Sequence, residues 1–237
     1  MGGGGKTSLI LALAEELRMK GRRVVTATTT KVWRHEVLDV PCVMFDLSNG
    51  SFHEEVRAGL ETHGHIFVGK GVLDSGKVQG INPALADLLY QDYTLDYLIL
   101  EADGAAGRPV KVPAVNEPVI PGSATMVVAM MGLDAIGKPL GSDVVFRLDK
   151  FKNMTGLEQG EQITPEAVAG TFQSPEGVFQ GSPEAARRVV FLNKLDLLAD
   201  DRRAMALGAI LMHDLRPPAD IVVVGSVLKK NYMIMKK

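Results

Sequence analysis

The sequence predicts an α/β protein with a mostly parallel sheet and flanking helices. Three observations predict it. Short β-branched runs alternate with helical patterns along the chain. Several of those runs, 96–102, 124–130 and 188–192, are apolar on both faces, as strands covered by helices on each side must be. A glycine run leads directly into the first helix.

Taken in order, residues 7–19 read as a helix, with Leu9, Ile10, Leu13, Ala14 and Leu17 on one face and Gly21 as its stop. Residues 22–27 are a β-branched strand followed by the polar loop Thr28–Thr29–Thr30–Lys31. Weaker strands at 40–46 and 65–69 flank a helix at 52–62, and 82–92 is another helix. The run 96–102, DYLILEA, is the clearest buried strand. Strands at 124–130, 188–192 and 220–224 and a helix at 199–215 complete the alternation. Residues 133–184 are richer in helix, Gly and Pro and read as a possible helical insertion in a single domain spanning 1–237. The tail LKKNYMIMKK is short for a closing helix.

The chain has 237 residues and a net charge of −2 with dispersed basic residues, which argues against nucleic acid and against a polybasic membrane patch. Its most apolar stretch, 126–133, is too short to span a bilayer. The start MGGGGKTS carries no export signal, and Cys42 is the only cysteine, so the expectation is a cytoplasmic protein without an intrachain disulfide. His63 and His65, two apart, are a poor metal signal, and Met126, Met130 and Met131 read as core.

Gly2, Gly3, Gly4, Gly5, Lys6, Thr7 and Ser8 read as a phosphate-binding loop. Glycines let consecutive N–H groups turn inward around anionic oxygens, and the helix that follows aims its positive end at them. Lys6 then reaches the β- and γ-phosphates of a nucleotide, and the Thr7 hydroxyl ligates Mg²⁺. The usual spacing, GxxxxGK[ST], needs a glycine before Met1, and the variant KGGxGK[ST] needs a lysine where Met1 stands. Such a loop hangs from the end of a strand, and no residues precede it here, so the first strand is expected to be missing.

DYLILEADGA ends its strand with Glu101 and Asp103. A carboxylate at a strand end beside a phosphate loop holds Mg²⁺, a role assigned to Asp103, with Glu101 as a supporting ligand or the residue that orients a water. RRVVFLNKLDLL places Asn193, Lys194 and Asp196 just after a strand, the NKxD pattern of guanine readers. Asp196 accepts from the guanine N–H groups, the Lys194 stem lies along the ring, and Asn193 ties loops together. The Thr28–Thr30 loop sits where a γ-phosphate sensor is expected. Arg108 and Lys111 follow the acidic turn and are candidates for a second, substrate anion, while Glu117 and Pro118 shape the loop.

Together these stretches resemble the selenium-dependent hydroxylase accessory protein family, or YqeC family. The residues that carry the resemblance are GGGGKTSLI, VVTATTTKVW, LILEADGAAGRPVKVPAVNEPVIP, MGLDAIGKPL, SPEGVFQGSP and FLNKLD, in that order over almost the whole chain. The resemblance implies a P-loop NTPase fold and a part in the maturation of selenium-dependent molybdenum hydroxylases, with such an enzyme or its cofactor-insertion machinery as partner. The expected cofactors are Mg²⁺ and GTP, or ATP. Lys6, Asp103 and Glu101 are the expected catalytic residues. Two other functions stay open: a small-molecule kinase or nucleotide-dependent transferase acting on a cofactor precursor, and a nucleotide-binding scaffold without chemistry.

Overall fold

A computed structural model describes residues 1–41, 43–44, 51–91, 94–213 and 219–236. Cys42, the end of the strand expected at 40–46 and the last residues of the helices expected at 82–92 and 199–215 lie outside them. The chain forms two compact units.

One unit comprises Thr7–Gly104 and Val119–Ser123. The helix α1, Lys6–Met19, enters it and stops at Gly21, whose φ of +73° suits a residue without Cβ. The strands β1 (Val24–Thr28), β3 (Val43–Met44), β4 (His65–Val68) and β7 (Tyr97–Glu101) form a parallel sheet in the order β3-β4-β1-β7. Side-chain alternation gives this sheet two apolar faces. On one, Val25, Ala27, Ile66 and Val68 meet Val56 and Leu60 of α2 (Phe52–His63) and Ala86 and Leu89 of α3 (Pro83–Gln91). On the other, Phe67 packs with Val32, Val78 and, from α1, Leu11. A small antiparallel sheet, in the order β2 (Lys31–Trp33), β6 (Lys77–Gln79), β5 (Gly71–Val72), supplies Val32 and Val78. The sequence carries no sign of this sheet, because strands of two or three residues have no period of their own.

The strand β7 corrects an expectation. Its apolar run marks it as the clearest buried strand, yet Tyr97 is 44% exposed and Leu98, Ile99 and Leu100 are only partly covered. It is the edge strand of this sheet, with β1 on one side only.

His65 is buried on β4 and shares a 2.9 Å hydrogen bond with the Thr26 hydroxyl of β1. Burial is the main cause that lowers its pKa from 6.5 to about 4; Glu15 opposes the shift and Arg18 adds to it. The folded protein therefore resists protonating this ring. The stability that the neutral imidazole contributes is intact above pH 6.5 and is lost as pH falls from 6.5 toward 4. NMR titration of the ring should give a midpoint near 4; a midpoint at 6.5 would show that the ring is solvated.

The other unit comprises Met1–Lys6, Ala105–Pro118 and Ala124–Lys237. A short parallel pair joins β8 (Val110–Lys111) to β10 (Val145–Phe146). The main sheet runs β13 (Asn231–Lys236), β12 (Ile221–Ser226), β11 (Arg187–Asn193), β9 (Met126–Gly132), parallel except for β13. α4 (Leu148–Thr155) and α5 (Pro165–Gln173) supply buried Phe151, Val168 and Phe172, and α6 (Arg202–His213) buries Ala204, Leu207 and Leu211. The tail, too short for a closing helix, forms the strand β13: Tyr232, Met233 and Ile234 pair antiparallel with Gly225, Val224 and Val223. Its β-branched and aromatic content suits an edge strand better than a helix.

Met1–Gly3 lie along β9. Gly2 pairs in parallel with Met130, Gly3 N donates to Met130 O at 2.8 Å, and Met130 N donates to Met1 O at 3.0 Å. A strand before the loop was expected to be missing; Met1 and Gly2 themselves make this short parallel pairing.

Candidate functional site

The glycine run is held by close backbone approach. Gly4 N donates to Arg108 O at 3.1 Å. A Cβ on Gly2 would stand 2.1 Å from Met130 O, and one on Gly4 would stand 2.1 Å from Gly132 N. Both residues also have positive φ, +90° and +80°, so the path is open to glycine and closed to other residues. The Gly3 and Gly4 N–H groups are engaged by backbone carbonyls. Donors for an anion must therefore come from Gly5 onward, where Lys6, Thr7 and Ser8 open α1 and the first N–H groups of a helix lack intrahelical partners. Buried Lys6 folds back, its Nζ donating to Gly2 O at 2.7 Å.

Asn193, at the end of β11, is buried and used from both ends. Its Nδ2 donates to Gly4 O at 2.8 Å, and its Oδ1 accepts from Val227 N at 2.9 Å. It thus ties the glycine loop to the chain just after β12. Lys194, with φ +67°, turns the chain, and its Nζ lies 3.1 Å from Asp134 Oδ2. Asp134 follows β9 and carried no readable signal in the sequence, because its partner is 60 residues away. Asp196 lies exposed in a short 3₁₀ turn, Leu195–Leu197.

In the unit built on Thr7–Gly104, the Thr7 hydroxyl donates to Glu101 Oε2 at 2.9 Å. Glu101 and Asp103 are both buried, at 8% and 1% exposure, at and just past the end of β7. The threonine loop is fastened to the same strand end: Thr28 Oγ1 donates to Glu101 O at 3.0 Å, and so does Thr29 N. A hydroxyl and two buried carboxylates are hard oxygen donors of the kind Mg²⁺ takes, with waters and ligand oxygens completing its shell. Among the described residues there is no group of three or more His, Cys, Asp or Glu that could hold a metal.

The two residues proposed for a second anion are placed differently from one another. Arg108 reaches the backbone carbonyls of Ser142 at 3.0 Å and Ala106 at 2.6 Å. The Lys111 side chain is wholly buried, and its Nζ lies 2.6 Å from Glu117 Oε2, which also pairs with Arg147 Nη1 at 2.8 Å. Burial pushes the Glu117 carboxyl toward its neutral form, but the Arg147 guanidinium and the Lys111 ammonium outweigh it and hold the group below its usual range. An anion could reach Lys111 only by displacing Glu117. Gln180 donates to the carbonyls of Ala114 and Glu117 and fixes this loop from a third side. Arg147 and Gln180 were not legible in advance, since nothing local marks a side chain that serves a distant one.

Fold and loop define the class: an α/β protein with mostly parallel sheets, flanking helices and a glycine run that turns straight into a helix. The model of the YqeC protein family matches residues 1–149. A protein of Escherichia coli (strain K12), described as "Uncharacterized protein YqeC", is 34% identical over 194 residues, which is 82% of this chain and 74% of that protein. The chain belongs to the YqeC family. Among the described residues no helix is long and apolar enough to cross a membrane.

Proposed function

We propose that the protein binds and hydrolyses a nucleoside triphosphate with Mg²⁺, GTP in preference to ATP, and acts as an accessory in maturing selenium-dependent molybdenum hydroxylases. The observation that carries the nucleotide reading is the clamped loop: Gly4 O is held by Asn193 while Lys6 folds back over Gly2 O. A loop fixed in this way needs little reorganisation to receive phosphates. Lys6 and Thr7 are consecutive, so an amine for phosphate and a hydroxyl for metal start from adjacent residues. Mg²⁺, when bound, supplies charge neutralisation on the phosphate oxygens.

The roles of the chain's own residues follow. The N–H groups from Gly5 onward and Lys6 would bind the phosphates; Thr7, Asp103 and Glu101 would hold the metal, directly or through water. A water attacks the γ-phosphorus, the bond to the bridging oxygen breaks, the diphosphate leaves with that oxygen, and the proton lost by the water passes to the released phosphate or to solvent. The accessory role rests on the family resemblance.

The test is titration of the full chain with GTP, ATP and CTP in Mg²⁺, beside Asp196→Ala. Exposed Asp196 has room to accept from a guanine edge. Its truncation should lower the GTP-to-ATP affinity ratio roughly 10- to 100-fold, the equivalent of a charge-assisted hydrogen-bond pair. An unaltered ratio would remove the base-reading role. Preference for ATP in the parent protein would favour the kinase reading, and no nucleotide binding at all would end the catalytic account.

A further inference from the structure

In the unit built on Thr7–Gly104, a cavity of about 610 Å³ opens at the carboxyl ends of β1 and β4. This is the end of a parallel sheet at which α/β proteins take ligands. Its walls are cross-linked by backbone. Gly80 N donates to Thr30 O, Ile81 N to Thr28 O and Lys70 N to Gln79 O, each at 2.8 Å. The approach of these walls depends on Gly80, since a Cβ there would stand 2.3 Å from Thr28 O. The cavity is therefore built into the fold and does not wait on a ligand to shape it.

Its lining is lopsided in charge. Lys31 and Lys70 line it together with Thr30 and Gln79, and no carboxylate does among the described residues. Asn82 also lines it, but its Oδ1 is engaged in capping α3, accepting from Leu85 N at 2.8 Å. Pro83 and Leu85, both half-buried, add apolar surface to the lining. Two ammonium groups at one cavity without an acid between them favour a ligand that brings the negative charge. A phosphate monoester is dianionic near neutral pH and can accept from both lysines and from a hydroxyl.

We propose that this cavity binds a phosphorylated small molecule, with the phosphate on Lys31, Lys70 and Thr30 and the carbon skeleton against Pro83 and Leu85. The site is separate in sequence from the glycine loop, and the proposal does not require that the loop bind a nucleotide.

The protein carries its own reporter. Trp33, the only tryptophan, is 46% exposed, two residues from Lys31 on the same face of β2, with the Lys77 amine 4.6 Å from its ring centre. The probe is phenyl phosphate, with inorganic phosphate and benzoate as controls. It is titrated into the full chain by calorimetry and Trp33 emission, in the parent protein, in Lys6→Ala and in Lys31→Gln/Lys70→Gln. Both lysines are exposed, so the double variant should fold, as its circular dichroism melt will show. Phenyl phosphate should bind the parent and Lys6→Ala alike, more tightly than either control. The double variant should lose roughly 10- to 100-fold in affinity, since charge-assisted hydrogen bonds are removed. Equal binding by the double variant, loss of binding in folded Lys6→Ala, or no saturable binding to the parent overturns the proposal.

Discussion

Replacing Glu117 by Ala should destabilise the protein by about 3 kcal/mol or more, the usual cost of leaving a buried charge without its partner. The reason lies in Lys111. Its side chain has no solvent exposure, and Glu117 at 2.6 Å is a carboxylate that pairs with its ammonium. Arg147, 25% exposed at its side chain, can turn toward water when the carboxylate is removed; Lys111 cannot. At this chain length the loss should lower the melting temperature by roughly 10 °C. Glu117→Gln, which keeps the acceptor and loses the charge, should fall between. Lys111→Met in the Glu117→Ala background should recover much of the loss, because it removes the buried charge along with the carboxylate. A melting temperature unchanged in Glu117→Ala would show that the Lys111 charge is compensated without Glu117. The pH dependence has a defined sign. The carboxyl is held below 4.5 in the folded protein, so its contribution is present above 4.5 and fades as pH falls through the lowered folded value.

Lys6→Ala should reduce affinity for GTP and ATP together by on the order of 100-fold, since it removes a charge-assisted contact to phosphate. The loss should be nearly independent of the base, which separates it from Asp196→Ala. Lys20→Ala is the control, an exposed lysine just past the far end of the helix that Lys6 opens. The glycine path itself is set by backbone approaches at Gly2 and Gly4, so the variant should keep its circular dichroism spectrum. Nucleotide affinity equal to that of the parent would remove the loop from the proposed site.

Much of the frame was legible because it is local. The pattern of 52–62 became α2 over Phe52–His63, and 65–69 became β4 over His65–Val68. The β-branched run before NKLD became β11 over Arg187–Asn193. Periodicity reports which residues share a face, and a helix or strand longer than a few residues writes that period into its own segment. The small sheet of β2, β6 and β5 and the pair of β8 and β10 wrote nothing comparable, since each exists through its partner. The edge position of β7, too, was set by neighbours and not by its own apolar run.

The same division holds at the candidate site. The sequence alone determined the family, the glycine run, the acidic end of β7 and the NKLD order, because each is a property of consecutive residues. Only the tertiary structure decided which groups these residues meet. Asn193 finds Gly4 O across 189 residues, Lys194 finds Asp134, and Lys111 is enclosed against Glu117 and withdrawn from solvent. A charge or an amide has the same letter whether it faces water or a partner. What distinguishes the two is the cost of burying a polar group unsatisfied, and that cost arises only when distant segments are brought together.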